Sequence, residues 1–208
     1  GGLKPTRLIL THFHPDQVGL ANWLAGMCGV GFSMPLTEYL FAQNLRHNKE
    51  ALGSPTHHDF YTGNGLPEAE AALLMGRGHH YLRMTTGLPP VFHRLRAGDT
   101  LGLAGRSLEI LTGGGHAPEQ AMLWDRSGGV FFAADQVLAK ISPNISVWPQ
   151  EPDANPLGLY LESLAAIRAA VPADVLVLPA HNLPFRGLHE RLGQLADHHA
   201  ARCDAVAR

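Results

Sequence analysis

Short, continuously apolar runs recur along the chain, and each ends on a side chain able to bind a metal ion: RLILTH at His12, SLEILTGGGH at His116, GVFFAAD at Asp135 and DVLVLPAH at His181. Aliphatic and β-branched runs of this length, bounded by Gly or Pro, predict buried strands. Between them the apolar spacing becomes helical. QVGLANWLAGM puts Val18, Leu20, Ala21, Leu24 and Met27 on one face, with Pro15 and Asp16 placed to start it. NPLGLYLESLAAIRAAV has Asn155 as N-cap, Pro156 at the first helical position and Leu157, Tyr160, Leu161, Leu164, Ile167 and Val171 along one stripe. A last helix, at about 187–207, closes the chain. The pattern is α/β, with its chemistry at strand ends, where a rigid scaffold presents it.

The stretch at about 35–90 differs in character. Two helix-like pieces, LTEYLFAQNLRHNKEAL and LPEAEAALLMGRG, are broken by Pro and Gly among many His, Gly and Tyr residues. It reads as a helical insertion in a single domain spanning residues 1–208, of the kind that covers a site and selects substrates. His57, His58, Tyr61, His79, His80 and Tyr81 within it read as polar surface or satisfied half-buried residues, and His198 and His199 on the last helix as solvated.

Composition narrows the classes of function. With 45% apolar and 16% charged residues over 208 positions, the chain can bury a full core. Sixteen basic against eighteen acidic residues leave a net charge of −2 and no basic run, so there is no global footprint for nucleic acid or an anionic membrane. Only a local groove drawing on Arg46, Lys49, Arg77, Arg83, Arg94 and Arg96 would serve nucleic acid. Cys28 and Cys203 are too few and too far apart for a disulfide framework or a zinc knuckle, and read as small core residues in a reduced compartment. No apolar run approaches the roughly 20 residues of a spanning helix, and no signal pattern opens the chain. The expectation is a cytoplasmic protein. The chain also opens abruptly, with Pro5 leading into the first strand and no earlier strand for its sheet to build on.

The candidate chemistry starts at THFHPDQ, residues 11–17. In an extended segment residues two apart point the same way, so His12 and His14 can face one cation, with Asp16 beside it at the turn into the helix. Three protein ligands and an open position are what a catalytic zinc needs, because the open position holds a water whose pKa the cation lowers. Gly113, Gly114 and Gly115 form no phosphate loop, since no Lys-Ser/Thr follows, and serve a tight turn before His116. No Gly-x-Ser-x-Gly elbow is present, which argues against a serine hydrolase.

Taken in order, THFHPDQVG, GGGHAPEQ, FFAADQVL and LPAHNLPF resemble the successive metal-binding motifs of the metallo-β-lactamase superfamily, nearest its glyoxalase II-like and β-lactamase-like branches. The resemblance implies a four-layer αβ/βα sandwich, here N-terminally incomplete: either the chain is a fragment of a longer protein, or the fold is pared down and a partner chain, such as a second copy, covers the exposed sheet edge. It implies His12, His14 and His116 around one metal, Asp16 and His181 around a second, and Asp135 bridging both. Zinc, one or two ions, is the expected cofactor, with manganese or iron as alternatives. The family's first motif ends in His where this chain has Gln17, a poor ligand for such ions, so the second site is expected to be weakened. Gln120, where relatives often carry another histidine, reads as a hydrogen-bonding support for the ligands. The implied activity is hydrolysis of an ester-like bond in a small acyl substrate, such as a thioester or lactone, by a metal-bound hydroxide, with Asp16 orienting or deprotonating the water. The competing readings are a β-lactamase-like nuclease, a persulfide-oxidising iron enzyme, and a fold member that has lost catalysis and is kept for binding or assembly.

Overall fold

The structure, a computed structural model, describes residues 4–48, 54–76 and 80–208. The expectations that rest on Lys49, Arg77 and His79 lie outside the described residues. The chain divides into two compact units, Gly1–Arg94 with Val147–Ala154 and Leu95–Ser146 with Asn155–Arg208. Each mixes helices and a sheet.

The first unit runs β1 (Leu8–Ile9), α1 (Pro15–Val18), α2 (Ala21–Cys28), β2 (Phe32–Pro35), α3 (Leu36–His47), α4 (Pro55–Gly63), α5 (Glu68–Gly76), α6 (His80–Met84) and β3 (His93–Leu95). Its sheet has the order β1-β2-β3. The first apolar run thus forms only a two-residue strand, and it builds on a later segment: β1 pairs in parallel with β2, Leu8 opposite Phe32 and Ile9 opposite Ser33. That strand, FSMP, escapes the sequence reading because Ser33 and Pro35 break its apolar pattern, yet all four residues are buried. The helix expected from Pro15 to Met27 is two helices. Between them the Gly19 carbonyl accepts from both the backbone N–H (2.6 Å) and the hydroxyl (2.9 Å) of Thr86, so it leaves the helical ladder. A side chain at Gly19 would collide with the Pro15 and Met84 carbonyls. The break also rotates the apolar face: Val18, Ala21 and Ala25 are buried, whereas Leu20, Trp23 and Met27 are exposed. Helix α4 is likewise unexpected, although Ser54-Pro55 is a legible start, the Ser54 side chain accepting from the His57 N–H.

The second unit contains β4 (Thr100–Leu103), β5 (Arg106–Gly113), β6 (Gln120–Asp125), β7 (Val130–Ala134), α7 (Pro156–Ala170), β8 (Leu176–Pro179) and α8 (Leu188–Val206). Strands β4 to β7 form an antiparallel meander, and β8 adds in parallel to β7 after the crossover through α7. Ala104 and Gly105, both with positive φ (49° and 76°), make the two-residue hairpin turn between β4 and β5. Trp124, Phe131, Val177, Tyr160, Leu164, Ile167, Leu188 and Leu192 are part of one buried cluster joining the sheet to both helices. On α7 the buried stripe is Tyr160, Ser163, Leu164 and Ile167, while Leu161 is exposed. Asn155 caps α7 as expected, its side-chain oxygen accepting from the Gly158 N–H at 2.9 Å.

Three smaller expectations are corrected. Cys203 is exposed rather than a core residue, and Cys28 is only half-buried. His199 is not a solvated histidine: its ring packs edge-on against Tyr160 at 5.4 Å, and burial lowers its pKa. Tyr81 is buried, for a reason given below.

Candidate metal centre

In the first unit, His12 and His14 flank the buried Phe13, and their rings stand edge-to-face, centroids 4.7 Å apart. Residues 12 and 13 form a bend rather than a strand, so no sheet ladder orients the pair. His12 is fully buried, and its Nδ1 lies 3.0 Å from the Thr11 hydroxyl. The His14 carbonyl accepts from the Gln17 and Val18 N–H groups and opens α1, which carries Asp16 in its first turn. Gln17 Nε2 donates to Asp16 Oδ2 at 2.8 Å. The residue that replaces the family's histidine therefore engages one oxygen of the neighbouring carboxylate.

In the second unit, His116, Asp135 and His181 come together. Asp135 is buried, its Oδ2 3.6 Å from His116 Nε2 and its Oδ1 3.4 Å from His181 Nε2. Both distances exceed a good hydrogen bond. His116 Nδ1 lies 2.8 Å from the Asn144 carbonyl. A carbonyl only accepts, so Nδ1 carries a proton, and Nε2 is the ring nitrogen that faces the carboxylate. A carbonyl partner on the far ring nitrogen is typical of metal-binding histidines, and the His and Asp side chains of this chain could hold a metal ion.

The sheet explains how these three meet. Strands β7 and β8 run in parallel, and the Ala180 N–H donates to the Ala134 carbonyl at 2.9 Å, so Asp135 and His181 leave adjacent strand ends. A register shift between Phe132 and Ala134 and a positive φ at Ala134 (47°) turn Asp135 out of the ladder. Asn182, directly after His181, also has positive φ (70°). On the His116 side, Gly115 has φ 99°, and a Cβ there would sit 2.5 Å from that of Tyr160, so the glycines let the loop turn closely against α7. Buried Gln136 ties the loops together: its Nε2 donates to the Gly114 carbonyl (2.9 Å), its Oε1 accepts from Gln120 Nε2 (3.2 Å), and its carbonyl accepts from the Tyr160 hydroxyl (3.1 Å).

Beside the first unit's histidines lie Glu38, which the sequence did not single out, and Tyr81, which it gave no part in the site. Glu38 Oε2 accepts from the Phe13 N–H at 2.9 Å, and the Tyr81 hydroxyl donates to the Phe13 carbonyl, also at 2.9 Å. Glu38 is fully buried. No local pattern marks it, because its partner is a backbone group 25 residues earlier.

A model of the metallo-beta-lactamase superfamily matches residues 1–181. The chain belongs to this superfamily. Its members are metal-dependent hydrolases for the most part, and the mixed α/β architecture with two sheets is that of their fold. Among solved structures, a beta-lactamase domain protein from Burkholderia ambifaria is 38% identical, with a TM-score of 0.83 over 99% of this chain and 59% of its own. A metallo-beta-lactamase family protein from Thermus thermophilus is 30% identical, with a TM-score of 0.74 over 96% of this chain and 62% of its own. A protein crystallised in a di-iron-bound form shares the fold at 21% identity, with a TM-score of 0.60 over 92% of this chain and 77% of its own. The chain thus spans about three-fifths of the length of the first two relatives. No curated protein matches it. Among the described residues no helix is long and apolar enough to cross a membrane.

Proposed function

We propose that this chain provides the metal-binding part of a hydrolase for ester-like bonds, acting on a small acyl compound such as a thioester or lactone. The observation that carries the reading is Asp135, which turns one carboxylate oxygen toward each of two histidines whose Nε2 atoms lie 3.4 and 3.6 Å away. In this reading, which follows the motif resemblance, His12, His14 and His116 would hold one ion and Asp16 and His181 a second, with Asp135 serving both. Zinc is the first choice and manganese or iron the alternatives, a fold relative being known in a di-iron-bound form. Such an ion lowers the pKa of a water toward neutrality and polarises the substrate oxygen. Asp135 holds the ligand histidines in register, and Asp16 orients the attacking water or takes its proton. Asp16 does this with one oxygen already accepting from Gln17, which weakens the second ion.

The test compares wild type with His116→Ala on thioester and lactone substrates and on an aryl phosphodiester. The expected outcome is metal-dependent turnover of an acyl substrate, falling by at least about 100-fold in the variant, a loss no smaller than those seen on removing outer-shell partners. Unchanged turnover in His116→Ala contradicts the reading, and turnover of the phosphodiester alone replaces it with the nuclease. The Gln17–Asp16 hydrogen bond favours one further reading, a member that binds metal and has lost catalysis. Metal uptake without turnover of any of these substrates is its signature.

A further inference from the structure

We infer that Glu38 and Tyr81 are positioning residues of the metal centre, a two-sided clamp on Phe13 that sets the directions of His12 and His14. The inference rests on the metal-binding reading above and adds to it the part of the molecule that shapes one ligand pair.

The argument begins with the peptide bond. The N–H of Phe13 belongs to the planar group that joins it to His12, and its C=O to the planar group that joins it to His14. Fixing both groups fixes the backbone planes on which the two histidines hang. In a strand the sheet ladder would do this, but residues 12 and 13 form a bend. Buried backbone groups without a ladder need other partners. Here Glu38 takes the N–H and Tyr81 takes the C=O, each at 2.9 Å. The Phe13 ring is held as well, packed at 4.4 Å on His14, 4.5 Å on Phe41 and 5.9 Å on Trp148.

Both clamp residues suit the task. Glu38 sits in the first turn of the twelve-residue α3, where the helix dipole favours a negative charge. Tyr81 lies on α6, and its burial raises the phenol pKa, so the hydroxyl remains a donor. Helices α3 and α6 belong to the stretch that the sequence presents as a cover over a site. The clamp makes them part of the frame of the site, contributing from 25 and 68 residues away in sequence.

The experiment measures zinc affinity of the full chain by competition with a chromophoric chelator, and the visible spectrum of the cobalt-substituted protein, which reports coordination geometry. The variants are Tyr81→Phe, Glu38→Ala and Glu38→Gln, with His116→Ala as the ligand control and Leu45→Ala, buried on α3, as the stability control. Tyr81→Phe and Glu38→Ala are expected to weaken zinc by about 10- to 100-fold, the usual effect of losing an outer-shell partner, and to shift the cobalt spectrum. Glu38→Gln keeps the acceptor and is expected to recover most of the loss; with Tyr81→Phe it also carries the test if Glu38→Ala fails to fold. Leu45→Ala is expected to lower the melting temperature and leave affinity unchanged. Wild-type affinity and spectrum in folded Tyr81→Phe and Glu38→Ala overturn the inference, as does an equal loss of zinc in Leu45→Ala. A loss of zinc confined to His116→Ala leaves the metal reading standing and removes only the clamp. A wild-type chain that takes up no zinc overturns both.

Discussion

The two units hold their metal-capable side chains by different means. In the second, His116, Asp135 and His181 leave a five-stranded sheet, and backbone devices aim them: a register shift, left-handed residues and a glycine loop tied by Gln136. In the first, the neighbouring strand has two residues and the neighbouring helix four, so secondary structure does little. Side chains from α3 and α6 do the aiming instead. Donors on a sheet should depend on how the core supports it, whereas donors on a bend should depend on a few hydrogen bonds.

The largest effect that would break this comparison lies in the core of the second unit. Ile167, almost fully buried between sheet and helices, becomes a cavity in Ile167→Ala, at a cost of about 2–5 kcal/mol in denaturant unfolding. Zinc affinity should fall with it. A variant that loses this stability yet keeps wild-type affinity would show that the sheet's packing does not hold the donors.

A second, smaller pair of effects separates the units by pH. In the second unit the Arg106 guanidinium, the Gly128 N–H and the Ser127 hydroxyl hold the Asp125 carboxyl down to about 2. Its contribution is complete above the unfolded value of about 4 and is lost as pH falls toward 2. In the first unit His58, 2.8 Å from Glu68 and 3.3 Å from Asp59, has its pKa raised, chiefly by Glu68. That contribution is complete below about 6.5 and is lost as pH rises through the raised value. Amide protection factors should therefore fall at the β6–β7 turn on acidification, and at α4 and α5 as pH rises beyond about 6.5. Arg106→Gln should raise the pH of acid unfolding, and an unchanged acid midpoint would remove Asp125 from the account.

The smallest effect concerns Asn182, beside His181. Its left-handed backbone suits Asn and Gly better than Ala, so Asn182→Ala should cost about 1 kcal/mol and Asn182→Gly almost nothing. Equal stability of the two variants would mean that this residue stores no strain next to His181.

The same contrast explains what the sequence reveals. Strands β5, β7 and β8 are legible because each is a short apolar run ending at a donor, and α7 because Asn155 and Pro156 announce it. Strand β2 is not, since Ser33 and Pro35 interrupt it, nor is the break at Gly19, which depends on Thr86. Four motifs in order carry the resemblance to the superfamily, and the family match over residues 1–181 bears that resemblance out. The clamp is invisible for a physical reason. A buried glutamate and a surface glutamate look alike in sequence, and only the fold brings Glu38 to the Phe13 N–H. Tyr81 is the instructive miss, a residue read as polar surface or as a satisfied half-buried side chain, which is in fact buried and donates its hydroxyl to the backbone between two histidines.

The most direct test of the central claim is the metal content per chain, by plasma mass spectrometry, of protein purified without added metal or chelator and again after incubation with zinc, manganese or iron. The account predicts one tightly held ion per chain and a second that is removed more readily, because Gln17 donates to Asp16 where the family places a histidine. A chain that retains no ion under any of these conditions would contradict it.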